Sequence, residues 1–336
     1  MMLMRRWGLS LCLVLGACAG DVSPKLVSMG SDVVSEGPAP EVTGRRITPS
    51  EEDPSTATAV DNTIAPPFIF LHGMAGFIEL GPIDYWGDII DTVRAAGHEA
   101  YPLEVQPFAA IAERAETAAK QIDEILLSTA APKVHLIGHS QGGLDGRYII
   151  SSLGYGDRVA SLTTIGSPHR GVKTIDAALG FLPDFAEEAI ASLFNTGADL
   201  LTDYESDLLA QLQDMSVQYM ENTFNPNNPD HAGVQYYSVG GRTQASPVVD
   251  FSTTDVVNPL FLSTYFLGKQ LEGENDGLVS VESSRWGTYL GTASADHLDE
   301  IGKSPASPIL AFDHLTFYVE LVTFLANGGP PPTLPE

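Results

Sequence analysis

The stretch KVHLIGHSQGGLDGRY, residues 133–148, limits what this chain can become more than any other. Val134, Leu136 and Ile137 form a short apolar run of strand type, and Leu144, Tyr148 and Ile149 follow at helical spacing. Between them, Gly138-His139-Ser140-Gln141-Gly142 fits G-x-S-x-G, a pattern too short to be diagnostic alone but informative between a strand and a helix. The glycines have a steric reason. A sharp strand-to-helix turn puts the serine in a strained backbone conformation, and side chains at the flanking positions would collide. Such a turn lifts Oγ above the sheet and aims N–H groups of the helix start at the place where a tetrahedral oxyanion forms. Ser140 is therefore the candidate nucleophile.

A serine of ordinary pKa needs an imidazole base, and the base needs a carboxylate to fix its tautomer. With this kind of turn the chain order is serine, then acid, then histidine. Only His169, His231, His297 and His314 follow Ser140. Asp276 is the best candidate acid, because Asn275, Asp276 and Gly277 make a turn able to present a carboxylate at a sheet edge. That leaves two histidines. His297 lies in the polar loop SADHLDEIG, the kind of segment that carries functional groups, whereas His314 opens a terminal helix and would cap or pack there. His297 is favoured, and His169 and His231 read as structural. The oxyanion needs a second donor from the loop after the first strand, where FLHGMAG (70–76) offers the Met74 amide beside that of Gln141.

Around the serine unit, strand and helix patterns alternate, which argues for a parallel sheet covered by helices. PPFIFLHG (66–73), RVASLTTIGSP (158–168) and VQYYSVGG (234–241) read as strands. AAIAERAETAAKQIDEILLST (109–129) reads as a helix with Ile111, Ala115, Ala118, Ile122, Ile125 and Leu126 on one face, and LTFYVELVTFLA (315–326) as the closing helix. The apolar, amphipathic segment 175–201 interrupts the alternation. It is either a packed helical insertion or a lid that covers the site in water and opens on lipid.

Residues 1–19 have the form of an export signal, with Arg5 and Arg6 ahead of an apolar stretch from Leu9 to Leu15 too short to span a bilayer. Leu15-Gly16-Ala17-Cys18 resembles a bacterial lipobox, which would lipidate Cys18; the competing reading is an ordinary cleavage site at Ala17-Cys18-Ala19. The expectation is an exported protein, either a lipoprotein of the outer membrane or cell surface or a secreted one. Residues 20–65 have the Ser, Pro, Thr and acidic content of a flexible tether, residues 66–327 form the folded domain, and the tail 328–336 is expected not to pack. Cys12 and Cys18 are the only cysteines, so the folded part holds no internal disulfide. A formal charge of -26 argues against nucleic acid and anionic surfaces as partners.

Five separate blocks, in order, resemble the bacterial true lipases of the Pseudomonas and Burkholderia type and, more distantly, the thermophilic Bacillus lipases. They are KVHLIGHSQGG (133–143), Arg147-Tyr148, TTIGSPHRG (163–171), NDGLVSVESSRWG (275–287) and HLDEIG (297–302). The resemblance implies an α/β-hydrolase fold with a mostly parallel central sheet, helices on both faces and a helical lid insertion. It also implies hydrolysis of long-chain acylglycerols at an interface, with a triad on Ser140, Asp276 and His297 and oxyanion donors on Met74 and Gln141. It implies a bound Ca2+ steadying the histidine loop, whose ligands fall on Asp299 and on Asp250, with Asp255 a second choice for the latter, and no organic cofactor. Two departures stand out. Lys303 occupies the place of a family glutamine and is an unfavourable neighbour for calcium. The family disulfide is missing, so dependence on a dedicated foldase is doubtful.

These features point to a serine carboxylic ester hydrolase acting through an acyl-enzyme, with triacylglycerol as the expected substrate. A short-chain esterase or polyester depolymerase would use the same triad, and a non-catalytic lipid-binding lipoprotein on the same scaffold is the remote alternative.

Overall fold

A computed structural model of the chain describes residues 64–76, 79–80, 83–181, 208–244, 257–258, 261–303 and 312–334. All belong to one compact unit, Thr58–Glu336. The export segment with Cys18, nearly all of the tether, the candidate lid beyond residue 181, Asp250 and Asp255 lie outside the described residues.

Six strands make the central sheet: β1 (Phe68–Leu71), β4 (Ala100–Leu103), β5 (Val134–His139), β6 (Val159–Ile165), β7 (Gln235–Arg242) and β8 (Thr288–Ser294). Their order is β4-β1-β5-β6-β7-β8, and every pairing is parallel. A two-residue hairpin, β2 (Glu79–Leu80) and β3 (Ile83–Asp84), stands apart from it. The strands expected from the sequence are β1, β5, β6 and β7. The other two were not legible: the edge strand β4 contains Pro102, and β8 fully buries only Ala293 of its seven residues.

Alternation along β1 shows how one short strand feeds two cores. Phe68 and Phe70 join a cluster with Trp86, Ile89 and Val93 of the α1 (Ile89–Ala95) side and with Phe317, Tyr318 and Leu321 of α7 (His314–Asn327). Ile69 and Leu71 face the other way, onto Ala115, Ala118 and Ile122 of α2 (Ile111–Thr129) and Ile149 and Ile150 of α3 (Gln141–Ser151). Each of the Phe, Ile, Leu and Val side chains taken from water contributes about 1.5–3 kcal/mol, so the sheet is held from both faces. The inner strands β1 and β5 are accordingly buried along their whole length. The remaining described helices of more than one turn are α4 (Lys173–Phe181), α5 (Leu208–Asp214), the helical run 217–227, which is π-helical over Met220–Phe224, and α6 (Leu262–Leu271).

The C-terminal tail departs from expectation. Beyond the helix-ending Gly328, whose φ is 66°, Pro332 is buried, Leu334 packs on Gly291 of β8 and the Thr333 N–H bonds Glu320 at 2.8 Å. Edge strand β8 needs covering, and the tail supplies part of the cover. Low local apolar content hid this from the sequence.

Candidate active site

Chain order reverses between β1 and β5, where β1 passes outward to β4 while β5 starts the opposite run, and the carboxyl ends of such strands border a natural crevice. Ser140 stands there, between β5 and α3, with φ 57° and ψ −129°. That left-handed φ on a side-chain-bearing residue is strained and is held by the surroundings. The Ser140 N–H donates to the Ile165 carbonyl at 2.8 Å. A Cβ on Gly142 would lie 2.1 Å from the Leu71 carbonyl oxygen, and one on Gly138 would lie 2.5 Å from the Gly143 nitrogen. Glycine is thus required on both sides of the turn.

His297 and Asp276 meet this serine from loops that follow β8 and β7. His297 Nε2 is 2.9 Å from Ser140 Oγ, and His297 Nδ1 is 2.7 Å from Asp276 Oδ2. Asp276 Oδ1 accepts the N–H groups of Leu278 and Val279, and the His297 N–H donates to the Asp276 carbonyl at 2.9 Å. Both residues are buried. The carboxylate is therefore held by backbone on one oxygen while the other faces the imidazole, so the Nδ1–H tautomer is fixed and Nε2 is free to accept from Ser140. His314 does not reach the site: it opens α7 and packs on Gly302. His169 is buried against Thr164 and Trp286 with its pKa held well below the usual value by burial, and His231 is exposed beside Gly233.

Met74 and Gln141 flank the serine. Gln141 is the first residue of α3, so its N–H has no intrahelical acceptor. Its side chain is fully buried, with Nε2 donating to the Ala109 carbonyl and Oε1 accepting from Gln211. Ser140, His297 and Met74 open into a cavity of about 220 Å³ whose other walls are chiefly apolar, among them Val172, Ile175, Leu212, Met215 and Leu267. Ile175 and Ala178 belong to α4, the described start of the segment predicted as a lid.

Asp299 is buried in a short turn next to Asp296, whose carboxylate accepts the N–H groups of Leu298, Asp299 and Asn258. Asp299 offers oxygen ligands of the kind a hard cation takes, whereas the Asp296 oxygens are already engaged by backbone. Lys303 Nζ lies against Gly87, within 2.8 Å of where a Cβ there would be.

Three residues of the site were not among those predicted. Glu300 is fully buried, 3.0 Å from His139 Nε2 and 3.8 Å from His297 Nδ1. Burial, reinforced by Asp276, Asp296 and Asp299, pushes its carboxyl well above the usual range. His139 is held well below its usual pKa by burial and by His297, and its Nδ1 is 2.7 Å from the Tyr85 hydroxyl. Glu300 follows His297 at the spacing of one turn and His139 sits inside the serine motif, so both were within reach of the sequence; Tyr85 gave no signal.

A parallel sheet with helices on both faces and a serine–histidine–aspartate chain at the strand ends define an α/β-hydrolase. The crystal structure of the mature Bacillus licheniformis lipase BlEst2 has the same fold, with a TM-score of 0.56 at 19% identity over 74% of this chain and 93% of that one. The triacylglycerol lipase of Pseudarthrobacter phenanthrenivorans is 30% identical over 285 residues, 70% of this chain and 88% of that protein. That of Burkholderia plantarii is likewise 30% identical over 285 residues, 70% and 79% of the two chains. The palmitoyl protein thioesterase family profile matches residues 67–227. The chain belongs to the family of bacterial triacylglycerol lipases and is a serine ester hydrolase.

Proposed function

We propose that the chain hydrolyses long-chain acylglycerols, with Ser140 as nucleophile, His297 as general base and then acid, Asp276 as its orienting carboxylate, and the Met74 and Gln141 amides as oxyanion donors. The observation that carries this reading is the unbroken hydrogen-bonded series from Asp276 through His297 to Ser140, opening directly into an apolar cavity. Ser140 Oγ attacks the ester carbonyl as His297 Nε2 takes its proton. The tetrahedral intermediate collapses, His297 protonates the departing alcohol, and water, deprotonated by His297, releases the acid from the acyl-enzyme.

The test is hydrolysis of p-nitrophenyl esters of increasing chain length, with Ser140→Ala as control. Rates that favour long chains and jump above the solubility limit support a lipase; a preference for short soluble esters would move the reading to a short-chain esterase. Ser140→Ala is expected to lose at least about 10⁴-fold in kcat with an unchanged circular dichroism spectrum, and retained turnover refutes the nucleophile.

Two accessory readings belong with it. Lipidation at Cys18 would tether the enzyme to a membrane surface, and a clickable fatty-acid label that marks the wild type and Cys18→Ser equally refutes it. A structural calcium would be held by Asp299 and Asp250, supplying charge that fastens the histidine loop. Chelation is then expected to lower the melting temperature, and an unchanged melting curve counts against the site.

A further inference from the structure

The oxyanion role of Met74 depends on which way one peptide plane faces, because a backbone amide can point into a site or away from it. The loop that carries it, Gly73–Gly76, begins and ends with glycine. Gly73 packs directly on the nucleophile, since a Cβ there would lie 2.7 Å from Ser140 Cβ and 3.2 Å from Ser140 Oγ. Two successive peptides of this loop are each gripped by side chains, those of Arg114 and His72 fully buried and that of Tyr85 partly buried. In the His72–Gly73 peptide, the carbonyl accepts from Arg114 Nη2 at 2.6 Å and the N–H donates to the Tyr85 hydroxyl at 2.9 Å. In the Gly73–Met74 peptide, the Gly73 carbonyl accepts from His72 Nδ1 at 2.9 Å and from the Gly76 N–H at 3.2 Å.

The His72 proton can be placed. The Val105 N–H donates to His72 Nε2 at 3.3 Å, so the imidazole hydrogen sits on Nδ1 and points at the Gly73 carbonyl. Burial, with Arg114 adding to it, pushes the His72 pKa down to about 3, so this ring stays neutral and keeps one acceptor and one donor. Because the peptide is trans and planar, fixing the Gly73 carbonyl turns the Met74 N–H the opposite way, free of that hydrogen bond. The Tyr85 hydroxyl accepts the Gly73 N–H and lies 2.7 Å from His139 Nδ1, whose ring Nε2 is 3.0 Å from Glu300. One hydroxyl thereby ties the oxyanion loop to the residue immediately before Ser140.

We propose that Tyr85 and His72 are positioning residues for the oxyanion hole, holding two consecutive peptide planes so that the Met74 N–H is presented to the developing oxyanion. Neither touches substrate in this role; both act through backbone. The inference rests on the reading of Ser140 as nucleophile and Met74 as donor.

The experiment compares an oxygen ester with the matching thionoester, whose C=S sulfur becomes a poor acceptor in the tetrahedral intermediate and gains little from an oxyanion hole. A wild type that hydrolyses both equally well overturns the oxyanion reading itself. Given a wild-type preference for the oxygen ester, Tyr85→Phe is expected to lower kcat on that ester by about 10- to 100-fold with KM unchanged, and on the thionoester by less than about threefold. An unchanged oxygen-to-sulfur ratio in Tyr85→Phe overturns the Tyr85 assignment and leaves the triad standing. His72→Gln, whose amide can still donate to the Gly73 carbonyl, is expected to retain most of the ratio, and His72→Leu to lose it. Equal ratios in those two variants overturn the His72 assignment. Trp86→Phe, a fully buried change outside the loop, serves as the control and keeps the wild-type ratio. Failure of Tyr85→Phe and both His72 variants to fold, with Trp86→Phe folded, would overturn the assignment in favour of a purely structural role.

Discussion

The two halves of the active site are built by different physics. The nucleophile turn, Gly138–Gly142, is shaped by contact: its backbone runs so close to Leu71 and Gly143 that only glycine fits, and the strain at Ser140 is borne by neighbours in the same few residues and in β1. The histidine side is shaped by charge. Asp276, Asp296 and Glu300 are all fully buried carboxylates; Asp276 and Asp296 organise loops by accepting backbone N–H groups, and Glu300 reaches across to His139. Steric shaping tolerates no added atom, whereas electrostatic shaping can be weakened by degrees. The acid and base loops can therefore adjust in a way the serine turn cannot.

That contrast can be broken most directly with Gly142→Ala. Its Cβ would lie 2.1 Å from the Leu71 carbonyl, and the expected result is a loss of about 3 kcal/mol or more in chemical unfolding together with loss of esterase activity. A well-folded, active alanine variant would mean that the turn relaxes more easily than its contacts imply.

Asp296→Asn probes the other half with a smaller change. One oxygen still accepts the Leu298 and Asp299 N–H groups, while the new amide faces the Asn258 N–H or leaves it unpaired. Thermal and urea melts should show a loss of about 1–3 kcal/mol, with kcat reduced by less than about tenfold because the direct partners of His297 are unchanged. A collapse of kcat at preserved stability would show that Asp296 acts on the base and not only on its loop.

The smallest expected effect sharpens the comparison through pH. His72 and His135 are held neutral mainly by burial, down to about 3 and about 4 respectively, whereas in the unfolded chain they take up a proton near 6.5. Between those values the unfolded state binds more protons, so stability present above about pH 6.5 falls as pH drops toward 4. His135 stacks on Phe68 and meets Ser161, far from Ser140 in the sheet. Its replacement in His135→Asn should make the melting temperature less sensitive to pH across this window while leaving the pH profile of kcat alone. An unaltered slope would remove His135 from the acid response.

Most of the scaffold could be read in advance where a single segment contained its own reason. The two-faced apolar run of β1 and the stripe of Ile111, Ala115, Ala118 and Ile122 along α2 are local patterns, and the structure forms both elements. Edge strands β4 and β8 and the packed tail at Leu334 escaped, because each is stabilised by what lies beside it and not by its own periodicity. At the site the division is similar. Ser140, Asp276 and His297 could be nominated from motif and chain order, and the structure brings the three into one hydrogen-bonded series.

By itself, then, the sequence determined a strained serine between obligatory glycines, an ordered set of acid and base candidates, and a sheet that buries both faces, since all of these follow from sterics and patterns within short windows. Only the tertiary structure decided that His297 and not His314 faces the serine, that Glu300 lies under both His139 and His297, and that Tyr85, His72 and Arg114 grip the oxyanion loop. Those choices join residues as far as 161 positions apart through hydrogen bonds in a buried, low-dielectric space. No local periodicity records such pairings; they exist only once the sheet has brought its strand ends together.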